Sequence, residues 1–297
     1  MNKVLTLDIA KQFLRNKETT DLSEFTSVSD SAAELLGRQV GYIELNGLSS
    51  ISDSAADSLR KFDGGLELNG LTSISDNVAE ALGKHHGGLE LNGLTFVSDV
   101  AAESLGQHDG GLYLNGLSSI SYTTAKSLSR YINWLCLNGL NSISDDIAEA
   151  FRNHEGYLEL NGLNLVSEST INSLAEHKGG LELNGLTSIS ISAAEALANH
   201  KYYLCLNGLT FISDVAAKLL SNHEGYLELN GLNSLSDFAA EAFVVHEGGL
   251  ELNGLSLVSE IALASLSKHN GFISMSELFI EKFNLFKAQF ILQKKNF

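Results

Sequence analysis

Two rows of side chains, each repeating every 23 residues, carry the groups that could do chemistry. The first row reads Glu44, Glu67, Glu90, Tyr113, Cys136, Glu159, Glu182, Cys205, Glu228 and Glu251. Carboxylates recurring at one position suit a basic ligand, and they equally suit a face kept soluble by charge. Neighbours stacked about 5 Å apart would repel by roughly 1 kcal/mol in a water-like dielectric. Nothing in the local pattern demands glutamate there. The second row lies two residues earlier and reads Tyr42, Gly65, Gly88, Gly111, Trp134, Tyr157, Gly180, Tyr203, Tyr226 and Gly249. Trp134 is the single tryptophan. Trp134 with Tyr157, and Tyr203 with Tyr226, are aromatic neighbours of the kind that dominate binding hot spots. The same rings could instead pack over the glycines beside them. Both rows together are the candidate ligand-binding residues.

A third row holds His85, His108, His154, His177, His200, His223, His246 and His269, with Phe62 and Tyr131 at the same position in two other repeats. Histidines in register could chelate a metal. At helix C-termini they could also satisfy loose carbonyls, where the helix dipole favours a cation. Phe and Tyr at the position point to the packing of a flat ring. No DxDxDG-type calcium loop is present. Serine, histidine and aspartate are abundant, but they recur in every repeat, and no GxSxG, HExxH or phosphate-binding loop occurs. No catalytic residue, metal or cofactor is therefore expected.

The elements that position these rows follow from one repeat. LNGL occurs ten times, from Leu45 to Leu252, with an unbroken spacing of 23 residues. A fixed period of this length marks a solenoid. In the repeat from Gly64 to His86, Leu66, Glu67 and Leu68 alternate apolar, polar, apolar, which is strand periodicity. Asn69 and Gly70 tolerate positive φ and predict a sharp bend. Leu71 and Ile74 return to the core. Ser75 or Asp76 caps a helix, and Ser holds that position in all eleven repeats from Ser29 to Ser259. Val78, Ala79 and Leu82 form its apolar face, and glycines in αL end it. The asparagines from Asn46 to Asn253 form a ladder of stacked amides that can bond along the stack. Parallel strands gather on one side and wider helices on the other, so the sheet side is expected to be concave. The chain has no proline, as suits strands that all have neighbours.

The repeats resemble bacterial leucine-rich repeats of the 23-residue kind. They are similar to those of BspA-like surface proteins, whose strand, Thr-Ser-Ile segment and alanine-containing helix match Leu71, Thr72, Ser73, Ile74 and Ala79. The resemblance spans about residues 20–275. Asn-Gly stands where BspA-like repeats carry proline, and Leu71 falls where the usual leucine-rich-repeat asparagine would lie. The resemblance implies a binding scaffold, rarely an enzyme. The expected fold is an α/β, leucine-rich-repeat-like right-handed solenoid, with parallel strands on the concave face and short helices on the convex face.

Three regions follow. Residues 1–40 hold an N-terminal cap helix, with Leu5, Leu7, Ile9 and Phe13 covering the first turn, and a degenerate first repeat. Residues 41–271 hold ten 23-residue repeats. Residues 272–297 form a C-terminal cap, a helix rich in Phe279, Phe283, Phe286 and Phe290 and bearing Lys282, Lys287, Lys294 and Lys295. A basic amphipathic helix of this kind could also bind a membrane or a partner. The net charge of −17 disfavours nucleic acid and suits a basic protein or peptide. No apolar run is long enough for a membrane span. Cys136 and Cys205 lie three repeats apart, about 15 Å at strand spacing, too far for a disulfide. Both are expected to be free and to label in the native protein. Free thiols and no signal peptide suggest the cytoplasm, although the chain could be a fragment of a secreted protein. The leading function is a non-enzymatic protein- or peptide-binding scaffold. The alternatives are a carbohydrate binder, with Trp134 and Tyr157 stacking on sugars, and a structural or assembly repeat protein.

Overall fold

Alternating leucines and glutamates dictate short strands, and the 23-residue period fixes which strands meet. A computed structural model describes residues 3–16 and 20–295. Met1, Asn2, residues 17–19 and residues 296–297 lie outside the described residues, as do the side chains of Lys294 and Lys295. The chain forms two compact units. One comprises Met1–Asn141 with Asn153–Glu159, the other Ser142–Arg152 with Leu160–Phe297.

In the first unit the strands Val40–Glu44, Asp63–Glu67, Leu89–Glu90, Leu112–Tyr113, Trp134–Cys136 and Tyr157–Glu159 pair in parallel in chain order. Every pairing is offset by one repeat, as in Ile43 with Leu66 and Leu135 with Leu158. In the second unit Leu181–Glu182, Leu204–Cys205, Leu227–Glu228, Leu250–Leu252 and Ile273–Met275 do the same. Each strand is followed by a bend and a helix of about two turns. Leucines from strand and bend, such as Leu66, Leu68 and Leu71, are fully buried. Each unit is thus a leucine-rich-repeat-like α/β solenoid.

The helices start where serine predicts. Ser75 Oγ accepts the backbone N–H of Val78, and the same cap recurs at Ser98, Ser121, Ser213, Ser236 and Ser259. Asp76 is the first helical residue rather than the cap, and it accepts a hydrogen bond from Ser98 of the next repeat. The buried faces are small, with Val78, Ala79, Ala81 and Leu82 inside, so neighbouring helices approach closely.

Two glycine expectations are corrected. The helix ends at Gly83 with φ −62°, a right-handed conformation, and positive φ comes only at Gly87 (φ 119°), further along the same loop. A Cβ on Gly83 would lie 2.2 Å from the Ser104 carbonyl of the next helix, so glycine serves close approach. Gly70 likewise is not in the left-handed region, and a Cβ on it would lie 2.2 Å from the Asn46 carbonyl oxygen. The bend needs room for the preceding repeat, not positive φ.

The ends differ from expectation in detail. Leu5 belongs to a strand, Val4–Leu5, which pairs with Ser27–Val28 at the 23-residue offset. The helix Leu7–Arg15 follows and buries Ala10, while Leu7, Ile9 and Phe13 stay half-exposed. At the other end Glu277–Lys295 forms one long helix that packs on Glu260–Leu266. Phe283 is buried, and Lys282 pairs with Glu260 at 2.5 Å. Leu278, Leu285 and Leu292 on the same helix are exposed.

Candidate functional site

Strand alternation turns the leucines inward and presents the glutamate row and the aromatic row on the opposite face. The glutamates are not free in solvent there. Asn46 Nδ2 donates to Glu67 at 2.5 Å, Asn69 and Asn92 donate to Glu90 at 3.1 and 3.2 Å, and Asn138 donates to Glu159 at 2.7 Å. In the second unit Asn161 and Asn184 serve Glu182, Asn207 and Asn230 serve Glu228, and Asn230 and Asn253 serve Glu251. The other end of each amide is used as well. Asn46 Oδ1 accepts the backbone N–H of Asn69 at 3.0 Å, and Asn69 Oδ1 accepts that of Asn92 at 2.9 Å.

The ladder therefore runs from amide to backbone and amide to carboxylate, not from amide to amide. Its cause is geometric. Asn69 sits at the strand end, where the next repeat's backbone N–H has no ladder carbonyl to meet. A half-buried asparagine N–H needs an acceptor, which glutamate supplies in most repeats and the Cys205 sulfur in one; the position calls for an acceptor, not for a charge. Glu67 has its pKa raised, first by burial and then by the charge of Glu90. Among the described residues no Lys or Arg lies within ion-pair distance of Glu67, Glu90 or Glu159. Glu44, at the end of its row, is exposed.

The aromatic row forms separate clusters. In the first unit Trp134 and Tyr157 meet with ring centroids 4.9 Å apart at 51°. Tyr113 belongs to the glutamate row, yet its ring folds back over Gly111, where a Cβ would lie 3.0 Å from it. That brings it to 6.4 Å from Trp134 at 38°. Three consecutive repeats thus present rings side by side. Trp134 remains 43% exposed, and its Nε1–H donates to Glu159 Oε1 at 2.6 Å. Tyr42 lies apart from this cluster, with its ring over Gly65.

In the second unit Tyr203 and Tyr226 stack at 5.9 Å and 15°. Tyr226 spans Gly249 to reach Phe272 at 6.1 Å and 22°, and its hydroxyl donates to Glu251 at 2.6 Å. Sequence reasoning passed over Phe272, although it stands 23 residues after Gly249 in the same row. Packing over glycine and clustering with other rings thus occur together.

Neither Cys136 nor Cys205 is in a disulfide, and both are only 1% exposed. This overturns the expectation of accessible thiols, since neighbouring repeats on both sides cover so short a side chain. Burial, helped by the charge of Glu228, pushes the Cys205 thiol up to about 12. Its Sγ–H donates to Asn184 Oδ1 at 3.1 Å.

The histidine row is buried. His85 stacks on His108 at 5.8 Å, and Tyr131 continues the column between His108 and His154 at 6.3 Å on each side. In the second unit His177, His200, His223, His246 and His269 stack at 5.9–6.1 Å. The Nε2–H groups of His85 and His108 donate to the Gly64 and Gly87 carbonyls at 2.9 Å. Burial holds His108, His154 and His223 down to about 4. Desolvation therefore outweighs the helix dipole, which would favour a cation. Among the described residues no three His, Cys, Asp or Glu gather as a metal site.

No known protein family matches the sequence, and no curated protein matches it. Among solved structures the chain is similar to a leucine-rich-repeat protein of Leptospira interrogans, with 16% identity over 88% of this chain and 74% of that one and a TM-score of 0.45. It is also similar to an internalin of Listeria monocytogenes, with 18% identity over 90% of this chain and 93% of that one and a TM-score of 0.40. No helix among the described residues is long and apolar enough to cross a membrane.

Proposed function

We propose that this protein is a non-enzymatic scaffold that binds a basic protein or peptide on its acidic, aromatic-dotted sheet face. One observation carries the reading. Glu67, Glu90 and Glu159 are fixed by neutral donors, asparagine amides and an indole N–H, and no cation of the described chain neutralises them. Carboxylates in register on a chain of net charge −17 favour a cationic partner and repel nucleic acid. Residues 41–271 serve as the binding array, and residues 1–40 and 272–297 close its ends. Two cysteines outside any disulfide fit a reducing compartment such as the cytoplasm.

Fluorescence anisotropy of a labelled lysine- and arginine-rich peptide tests the reading. Binding should weaken steeply with salt, and Glu67→Lys with Glu90→Lys should weaken it about tenfold or more, the effect of roughly 1.4 kcal/mol. Equal binding of a neutral peptide, or an unchanged affinity in the charge-reversed variant, would reject it.

A further inference from the structure

The two aromatic clusters differ in the angles between their rings. In the second unit Tyr203, Tyr226 and Phe272 stack within 22° of parallel, so neighbouring rings turn their faces to one another. In the first unit the angles are 38° and 51°, so Tyr113, Trp134 and Tyr157 form angled walls. Trp134 is the most exposed of the three. Carboxylates flank these walls. Glu159 Oε1 is held by the indole N–H and Oε2 by Asn138. Glu90 takes both Asn69 and Asn92 on Oε2, which leaves Oε1 without a hydrogen bond among the described residues. Tyr113 and Cys136 stand between them where most repeats carry glutamate, and the Cys136 side chain is buried.

We propose that the pocket of Tyr113, Trp134 and Tyr157, flanked by Glu90 and Glu159, receives the guanidinium of an arginine side chain on the bound partner. The proposal rests on the reading of this face as a docking surface for a basic chain and names the group it recognises. A cation over an indole face is attracted by the ring quadrupole. A planar guanidinium can stack on the indole while its N–H groups reach Glu159, the carboxylate bonded to that indole, which a compact ammonium does less well; Glu90, three repeats away, adds only its charge. The rim's negative charge favours a guanidinium over a neutral sugar, which would gain nothing from it. The carboxylates are already oriented by the asparagines, so little side-chain freedom is lost on binding.

The single tryptophan lies in the pocket, so its emission reports the site in the intact chain. Titration with a hexa-arginine peptide should shift that emission saturably, and N-acetyl-argininamide should shift it weakly. The citrulline version of the peptide, of nearly the same shape but uncharged, should bind at least tenfold more weakly. Trp134→Leu, followed through a labelled hexa-arginine peptide, should lose at least tenfold in affinity with an unchanged melting midpoint. Should the labelled peptide bind while emission stays constant and Trp134→Leu binds as tightly, the pocket is wrong and the acidic face stands. A neutral oligosaccharide that shifts the emission where arginine does not would also overturn the pocket. Absence of peptide binding by anisotropy rejects the docking face, whereas a saturable response to N-acetyl-argininamide would still uphold the pocket.

Discussion

Trp134 Nε1 donates to Glu159 Oε1 at 2.6 Å across adjacent strands, and the two residues stand 25 apart in sequence. Tyr226 and Glu251 repeat the same diagonal at 2.6 Å and the same separation. An aromatic of one repeat thus orients the carboxylate of the next, while an asparagine holds that carboxylate from behind. In each unit the two rows of the open face are linked by a hydrogen bond.

The asparagines bear the ladder, so Asn69→Ala should be costly. It removes the acceptor for the Asn92 N–H and a donor to Glu90. A half-buried N–H left unpaired costs about 1–3 kcal/mol. Asn69→Asp keeps the acceptor but sets a charge against Glu90, so it should recover stability as the solution is acidified through the carboxylate range. Urea unfolding of both variants at neutral and acid pH checks this. Wild-type stability in Asn69→Ala would show that the ladder is ornamental.

Glu67 stands between Glu44 and Glu90 in the row. Burial and the neighbouring Glu90 raise its pKa in the folded protein. The folded state then binds more protons than the unfolded one, so this contribution to stability is full below the ordinary carboxylate pKa and is lost as pH rises through the raised value. Glu67→Gln keeps an acceptor for Asn46 and removes the charge. It should be as stable as wild type or slightly more so at pH 7, with a flatter stability profile above about pH 4.5 and weaker binding of a basic peptide. A clear loss of stability at pH 7 in low salt would mean that Glu67 is paired or ligated.

The histidine columns predict acid lability. With His108, His154 and His223 held near 4, the unfolded chain binds more protons once pH falls below about 6.5. Their stabilising contribution is complete above that value and is lost as pH falls towards 4, by up to roughly 3 kcal/mol per ring. His108→Phe, which places the Phe62 side-chain type at this position, should lose about 1 kcal/mol at pH 7 through its missing bond to Gly87. It should also show a shallower acid limb. Denaturant midpoints at pH 7, 5 and 4 measure both, and parallel acid limbs would refute the assignment.

Thiol chemistry should follow burial. Cys136 and Cys205 should react with a chromogenic disulfide reagent only after denaturation, because both are covered and the Cys205 thiol is pushed up to about 12. Rapid labelling of two thiols in the folded protein would contradict the packing of the strand row.

The sequence alone determined the repeat, the strand register and the serine caps. These depend on local spacing, and a 23-residue period leaves one way to stack Leu66 on Leu89. It also brought Trp134 next to Tyr157 and Tyr203 next to Tyr226, since neighbours in a solenoid are separated by one period. Other features were decided only in three dimensions. The rotamer of Tyr113 carries its ring into the other row, the ring angles separate a tilted cluster from a near-parallel stack, and the asparagine amides turn to backbone and carboxylate. The strand Val4–Leu5 appeared only through its pairing, because its two residues are too few to show a period. Side-chain direction and burial depend on what the adjoining repeats contribute at each position. That is why an apparently exposed glutamate row proved half-buried, and why its two cysteines were closed to solvent.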